Sequence, residues 1–187
     1  LSTCGFDRIE VGSFVSPKWV PQMADSDLVI KGLNLDKSIS YSALTPNLKG
    51  LEDAIEAKVN EVAIFASASE SFSKANINCS IKESIDRIYP IMILAQENQL
   101  PVRGYVSCVT DCPFEGSVKP ENVEVVANRL LDLGCYEVSL GETLGRAGQQ
   151  KIINLLDHIL QKIPAEKLAG HFHDTQDVAI AVSYTHL

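Results

Sequence analysis

Two histidines near one end of the sequence form the pattern with the clearest chemical potential. His171 and His173 stand two residues apart in the segment 170–175, GHFHDT, after a loop and a short apolar pair. The segment predicts a strand, in which residues two apart point to the same face. The imidazoles would then project side by side while Phe172 packs on the opposite face, and two neutral imidazoles form half of a divalent-metal site. The alternative is that the two histidines are unrelated.

The cysteines offer a second, weaker candidate. Their number is odd and their spacing is irregular, which argues against a disulfide framework and for a reducing compartment. Cys108 and Cys112 stand four apart. They could form a metal or redox pair, and the alternative is a loop that happens to hold two thiols. The five positions are Cys4, Cys79, Cys108, Cys112 and Cys135.

The elements that would position these residues alternate along the chain. Six strand-like segments are separated by helix-like ones. The segment 80–97 opens with a capping box, Ser80 to Glu83, and contains Pro90, where we expect a kink. The predicted strands are 8–11, 40–44, 61–65, 102–106, 136–140 and 168–173, and the predicted helices are 48–57, 80–97, 122–133 and 149–163.

Repeated strand–helix units with a period near thirty residues predict a parallel sheet. Units of this size favour a (β/α)8 barrel, and no Gly-x-Gly-x-x-Gly motif follows a strand. Six units are two short of a closed barrel, so the barrel would be incomplete. The 187 residues suffice for one domain, and the net charge of −8 argues against a nucleic-acid partner. No apolar run reaches the ~20 residues that span a membrane.

Polar residues cluster where the predicted strands end, which is where barrel enzymes carry their chemistry. Glu10 and Glu142 are the two carboxylates of interest in this set. Glu10 could instead pair with Arg8 or Arg103, and Glu142 could instead cap the helix that follows it. The other members of the cluster are Ser13, Thr45, Asn47, Ser67, Ser69, Glu70, Ser107, Thr143 and the two histidines.

Several long motifs now identify a family. The segment 10–25, EVGSFVSPKWVPQMAD, resembles the second-strand signature of the hydroxymethylglutaryl-CoA lyases. The resemblance continues in the same order over nearly the whole chain. It is carried by 44–50 (LTPNLKG), 76–80 (NINCS), 102–108 (VRGYVSC), 134–141 (GCYEVSLG) and 171–175 (HFHDT).

The resemblance implies a metal-dependent barrel enzyme that cleaves 3-hydroxy-3-methylglutaryl-CoA to acetoacetate and acetyl-CoA. It implies Mg²⁺ or Mn²⁺ on His171 and His173 and an acyl-CoA substrate, and it is compatible with a homodimer of the full-length form. The implied compartment is the cytoplasm, or the mitochondrial matrix in a eukaryote. Glu10 and Glu142 are the implied catalytic residues, and the implied substrate-binding residues are Ser13, Asn76, Asn78, Ser80 and Arg103.

The chain also departs from the family pattern. Glu142 stands where the family usually has Asp, and 145–149, GRAGQ, replaces a usual Gly-x-Gly-Thr-Pro. The resemblance implies that residues 1–182 form part of the barrel, roughly its strands 2 to 7, with further strands upstream and downstream. We expect 183–187 to be a tail outside the family. Two rival functions stay open: a Claisen-condensing synthase of the homocitrate or isopropylmalate type, and a noncatalytic barrel remnant that binds a CoA ester.

Overall fold

The computed structural model describes residues 1–33, 36, 38–177 and 179. Six parallel strands form one sheet whose spatial order follows the chain. These are β1 (Arg8–Ser13), β2 (Ser40–Leu44), β3 (Glu61–Ser67), β4 (Val102–Ser107), β7 (Glu137–Glu142) and β8 (Leu168–Phe172). A separate short antiparallel hairpin consists of β5 (Asp111–Cys112) and β6 (Gly116–Ser117). All six strands predicted from the sequence are present.

The helices lie between the strands, as a strand–helix repeat requires. They are α1 (Ser26–Lys31), α2 (Leu48–Glu56), α3 (Glu70–Ile77), α4 (Ile81–Glu97), α5 (Pro120–Asp132) and α6 (Gln149–Ile159). Two 3-10 turns, Pro21–Met23 and Ala165–Lys167, complete the described elements. The four predicted helices are confirmed with shifted ends, because α5 starts at Pro120 and α6 stops at Ile159. Helix α4 contains Pro90 and is assigned as a single helix.

Local signals in the sequence explain where several helices begin. The Asn47 side chain accepts the Gly50 N–H at 2.9 Å at the start of α2. The predicted capping box of α4 is confirmed: Glu83 Oε2 accepts the Ser80 N–H at 2.8 Å, and Ser80 Oγ accepts the Glu83 N–H at 3.1 Å. These bonds satisfy N–H groups that a helix leaves without internal partners.

The described chain divides into two compact units. The first contains Leu1–Ile64 and Arg87–Arg103, and the second contains Phe65–Asp86 and the residues from Gly104 onward. In the first unit, Ala43, Leu51 and Val62 are fully buried. In the second, Val106, Leu130 and Ile159 are fully buried. Nearly every residue of β3 is buried, which is typical of a parallel strand covered on both faces.

The predicted boundary between residues 182 and 183 falls in 180–187, outside the described residues. Across the part of the chain that the structure describes, no helix combines the length and the apolar character needed to cross a bilayer.

Candidate functional site

The two histidines lie at the end of β8, as the sequence predicts. His171 is the penultimate residue of the strand and His173 follows it directly. Both are exposed, and their Nε2 atoms lie 3.2 Å apart. Phe172 packs instead against the buried cluster of Ala147 and Ile152. The alternation predicted for this strand is therefore confirmed, with both imidazoles on one face.

A contact with the backbone determines which ring nitrogen of His173 carries the proton. His173 Nδ1 lies 2.8 Å from the carbonyl oxygen of Thr143. Since a carbonyl can only accept, Nδ1 must carry a proton there, and a neutral ring then keeps an unprotonated Nε2. Metal-binding histidines are typically held in this way, with the other ring nitrogen donating to a carbonyl or carboxylate.

The pair fits a divalent cation in its spacing. Two ligand bonds of about 2.1 Å that meet at a right angle place their nitrogen atoms about 3 Å apart, close to the observed 3.2 Å. Within residues 1–33, 36, 38–177 and 179, however, no group of three or more His, Cys, Asp or Glu side chains could hold a metal. The described residues thus supply two imidazole nitrogen atoms at a distance that a cation could bridge, and no third side chain of these types beside them.

Glu142 is the last residue of β7 and only 3% exposed. Thr110 Oγ1 donates to its Oε1 at 3.2 Å, and the Arg146 N–H donates to its Oε2 at 3.0 Å. Its register partner on β8 is Phe172, the residue that packs away from the imidazoles. Helix α6 begins after Gly148 without a side-chain cap, so Glu142 does not cap that helix.

In the first unit, Glu10 and Ser13 both belong to β1. Glu10 is exposed opposite Ser42, just before an irregularity in the pairing of β1 with β2. Ser13 is 9% exposed, and its Oγ is the one buried side-chain oxygen or nitrogen without a hydrogen-bond partner among the described residues. A buried hydroxyl normally has a partner. The unsatisfied Ser13 hydroxyl is therefore suited to meet a bound molecule.

The backbone of Ser13 is held by α1. The Ser13 N–H donates to Ser26 Oγ at 3.1 Å, and the single proton of that hydroxyl is shared between the Ser13 carbonyl oxygen at 3.0 Å and the Met23 carbonyl oxygen at 2.9 Å. A Cβ on Gly12 would come within 2.9 Å of Ser26 Oγ, so a glycine is required for this approach. Arg103, the remaining candidate of the first unit, is the second residue of β4 and half-buried.

Three candidate substrate-binding residues lie where α3 ends and α4 begins. Asn76 is exposed in the last turn of α3, and Asn78 follows in the left-handed conformation with φ 52°. Neither side chain forms a hydrogen bond with a described residue. Ser80 differs from them, because its hydroxyl and N–H both contact Glu83 in the capping box. The structure thus leaves Asn76 and Asn78 accessible and gives Ser80 a structural task.

The cysteine pair behaves as two buried thiols. Cys108 is 0% exposed and Cys112 is 3% exposed, and Ser69 Oγ lies 2.9 Å from Cys112 Sγ. Burial raises the pKa of the Cys108 thiol to about 11. A thiol that keeps its proton at neutral pH is a poor nucleophile and a poor metal ligand. The simpler reading of a loop that holds two thiols is favoured.

Two of the groups around Glu142 were not singled out from the sequence. Thr110 and Arg146 lie in the loops after β4 and β7 and donate to its carboxylate. The polarity of these loops was the only available signal, because hydrogen bonds from a backbone N–H cannot be read from residue types.

Comparison with known proteins shows the family to which the chain belongs. The model of the HMGL-like family matches residues 1–187. A 3-hydroxy-3-isohexenylglutaryl-CoA/hydroxymethylglutaryl-CoA lyase of Pseudomonas aeruginosa is 52% identical over 187 residues, which is 100% of this chain and 62% of that protein. The hydroxymethylglutaryl-CoA lyase of Pseudomonas mevalonii is 52% identical over 181 residues, 97% of this chain and 60% of the relative.

Solved structures give the same result. The crystal structure of hydroxymethylglutaryl-CoA lyase from Pseudomonas aeruginosa superposes with a TM-score of 0.96 at 53% identity, covering 98% of this chain and 61% of the other. A lyase from Acinetobacter baumannii in complex with coenzyme A and 3-methylmalate has a TM-score of 0.92 at 35% identity, covering 98% of this chain and 60% of the other. The predicted fold class, an incomplete (β/α)8 barrel, is confirmed. The chain spans about three fifths of the length of these relatives, and it belongs to the HMGL-like family.

Proposed function

We propose that this chain forms the substrate- and metal-binding part of a carbon–carbon lyase. The protein that contains it would cleave 3-hydroxy-3-methylglutaryl-CoA to acetoacetate and acetyl-CoA. The observation that carries the proposal is the imidazole pair, whose Nε2 atoms converge at 3.2 Å while Nδ1 of His173 is held by the Thr143 carbonyl. Relatives that are about 50% identical and named hydroxymethylglutaryl-CoA lyase support it.

The metal belongs to the proposal because the donor set fits it. Mg²⁺ or Mn²⁺ on His171 and His173 would polarise the hydroxyl and carboxylate oxygens of the substrate. Two nitrogen ligands do not complete such a site, since these hard cations prefer oxygen ligands. The remaining positions would be taken by substrate oxygens, by water or by residues outside the described ones.

The residues of the chain itself have separable tasks in this proposal. Ser13 offers an unsatisfied hydroxyl to an oxygen of the substrate. Asn76 and Asn78 present accessible amides to the CoA moiety, with Ser80 and Arg103 proposed as further contacts. Glu10 and Glu142 are the proposed acid–base groups, since cleavage of the carbon–carbon bond requires a proton to leave the hydroxyl and another to reach the product carbon.

The proposal also covers the acyl group of the substrate, the cellular compartment and the oligomeric state. One relative is named for both an isohexenyl and a methyl substrate, so a longer acyl chain is the natural second substrate to test. A coenzyme A complex of another relative supports an acyl-CoA ligand. A reducing compartment suits the five free cysteines, and relatives are named cytoplasmic or mitochondrial. A homodimer stays a prediction.

A hybrid protein tests the function. In this hybrid, residues 1–187 replace the aligned stretch of the 52% identical Pseudomonas aeruginosa lyase. With Mn²⁺ or Mg²⁺ present, we expect acetoacetate to be released from 3-hydroxy-3-methylglutaryl-CoA. His173→Ala should lower turnover by at least about a hundredfold, because a metal ion contributes several kcal/mol to charge stabilisation.

The matched control is His158→Ala. His158 lies on α6, 2.7 Å from Glu124, and belongs to no part of the proposed site. Its removal should leave turnover within about twofold. Wild-type turnover by the His173 variant at limiting metal would contradict the metal assignment. Condensation of acetyl-CoA with a 2-oxo acid would favour the synthase, and coenzyme A binding without turnover would favour the noncatalytic remnant.

A further inference from the structure

Thr143 makes two contacts that join three segments of the second unit. Its Oγ1 accepts the N–H of Cys108 at 2.8 Å, directly after β4. Its carbonyl oxygen lies 2.8 Å from Nδ1 of His173, directly after β8. Thr143 itself follows the last residue of β7. One residue therefore connects the ends of three strands.

The Cys108 end of this connection is specific. Cys108 has φ 60°, a left-handed conformation that is uncommon for a residue other than glycine. Its side chain is fully buried, and its N–H would lack a partner without the Thr143 hydroxyl. The adjacent Val109 N–H donates to the Gly141 carbonyl at 3.2 Å. One hydrogen bond at Gly141 and one at Thr143 thus flank Glu142. Together they hold the start of the 143–148 loop against the residues after β4.

The His173 end is constrained from the other side of the loop. Gly145 has φ +63°, and a Cβ at that position would come within 2.7 Å of the Thr175 nitrogen. The loop therefore lies directly against the segment that follows β8. Contacts at both sides of the loop therefore restrain Thr143, whose carbonyl faces His173.

We propose that the Thr143 side chain is a positioning residue for the imidazole pair. By anchoring its own carbonyl, the hydroxyl keeps the proton of His173 on Nδ1 and directs Nε2 toward His171. The consequence for metal binding rests on the proposed function, whereas the effect on the His173 tautomer does not. A positioning role of this kind agrees with the importance of groups that hold the second nitrogen of a metal-binding histidine.

The test uses ¹⁵N NMR of the histidine rings in the 187-residue chain, without metal, at about pH 8, where an ordinary histidine is neutral. In the unaltered chain, we expect His173 to carry its proton on Nδ1. Thr143→Val removes the hydroxyl at nearly constant volume and should shift His173 to a mixture with at least about a third of the Nε2–H form. Thr143→Ser keeps the oxygen and should restore the original tautomer.

Valine leaves the Cys108 N–H without a partner, which lowers stability. Thr143→Ala is therefore included, because it leaves room for a water to satisfy that N–H. Circular dichroism verifies that each variant is folded. A folded Val or Ala variant that keeps His173 fully in the Nδ1–H form would overturn the proposal.

Mn²⁺ added to the same samples separates this proposal from the proposed function. Broadening of the His173 ring signals should need about tenfold more Mn²⁺ in the Val variant than in the Ser variant. A tautomer shift without Mn²⁺ broadening in any variant would support the positioning role and count against the metal assignment. Equal broadening in the Val and Ser variants, with an unchanged tautomer, would overturn the positioning role alone.

Discussion

Two glutamates, one in each unit, are equally buried but have different kinds of partner. Glu61 and Glu142 are both 3% exposed. Glu61 is the first residue of β3, whereas Glu142 is the last residue of β7. In a parallel barrel sheet, the amino ends of strands serve stability and the carboxyl ends carry the chemistry. The partners of the two carboxylates follow the same division.

Glu61 is held by a cation as well as a hydroxyl. Ser40 Oγ donates to its Oε2 at 2.8 Å, and the Arg8 Nε lies 3.8 Å from the same oxygen. Glu142 accepts only from a hydroxyl and a backbone N–H, and no cationic side chain pairs with it within the described part of the chain. Among the described residues, a cation therefore lies beside Glu61, whereas Glu142 contacts only neutral donors.

The largest effect that would sharpen this contrast is expected at Glu142. In the hybrid protein, Glu142→Gln should lower kcat by about a hundredfold or more and change substrate binding much less, because a charge felt in the transition state is lost. Glu142→Asp should leave turnover unchanged or raise it, since Asp keeps the charge and is the residue that the family resemblance implies at this position. Steady-state assays of acetoacetate release measure both parameters. Unchanged turnover in the Gln variant would assign Glu142 to holding its loop.

A smaller effect of a different kind is expected at Glu61. Glu61→Gln should lower the free energy of unfolding by about 1–2 kcal/mol, because it weakens charge-assisted contacts to Ser40 and to the half-exposed Arg8. Turnover of the folded variant should stay within about twofold. Urea unfolding and the acetoacetate assay provide the two readings. A large loss of turnover with intact stability would remove the distinction between the two carboxylates.

The smallest effect is expected at Cys108, whose N–H donates to Thr143, the residue after Glu142. It is a change in the free energy of unfolding at alkaline pH and is absent at neutral pH. Burial raises the pKa of the Cys108 thiol from 9.0 to about 11, and a nearby cation would have lowered it. Because the unfolded thiol ionises first, its contribution to stability is present below about pH 9 and is lost as the pH rises to about 11. The free energy of unfolding should therefore fall less between neutral pH and pH 10 in Cys108→Ala than in the unaltered protein, by about 1 kcal/mol. An identical pH dependence in both proteins would indicate a solvated thiol.

The sequence predicted the strands and the histidine pair because both follow from short-range patterns. Alternation over five residues was enough to place His171 and His173 on one face and Phe172 on the other. The capping box of α4 was equally local, since Ser80 and Glu83 contact each other within one turn. Such features need no knowledge of distant parts of the chain.

The missed features all depend on contacts between distant segments or on weak propensities. Helix α3 is rich in serine and asparagine, which are poor helix formers, and α1 has only six residues. Ser80 forms the predicted capping bonds, and its contact with substrate stays a prediction. The hydrogen bond between Thr143 and Cys108 joins residues 35 apart in the sequence. Its donor is a backbone N–H, which residue types do not reveal.

The Ser26 hydroxyl also governs what can join the sheet at β1. The Phe14 N–H donates to the Leu44 carbonyl of β2, so the N–H and C=O of Ser13 face away from β2. Ser26 Oγ lies at hydrogen-bond distance from both of these groups. A strand that adds to this side of β1 therefore meets Ser26 at Ser13, the last residue of β1, and intermolecular pairing, a common route to aggregation at open edges, is limited to the residues before it.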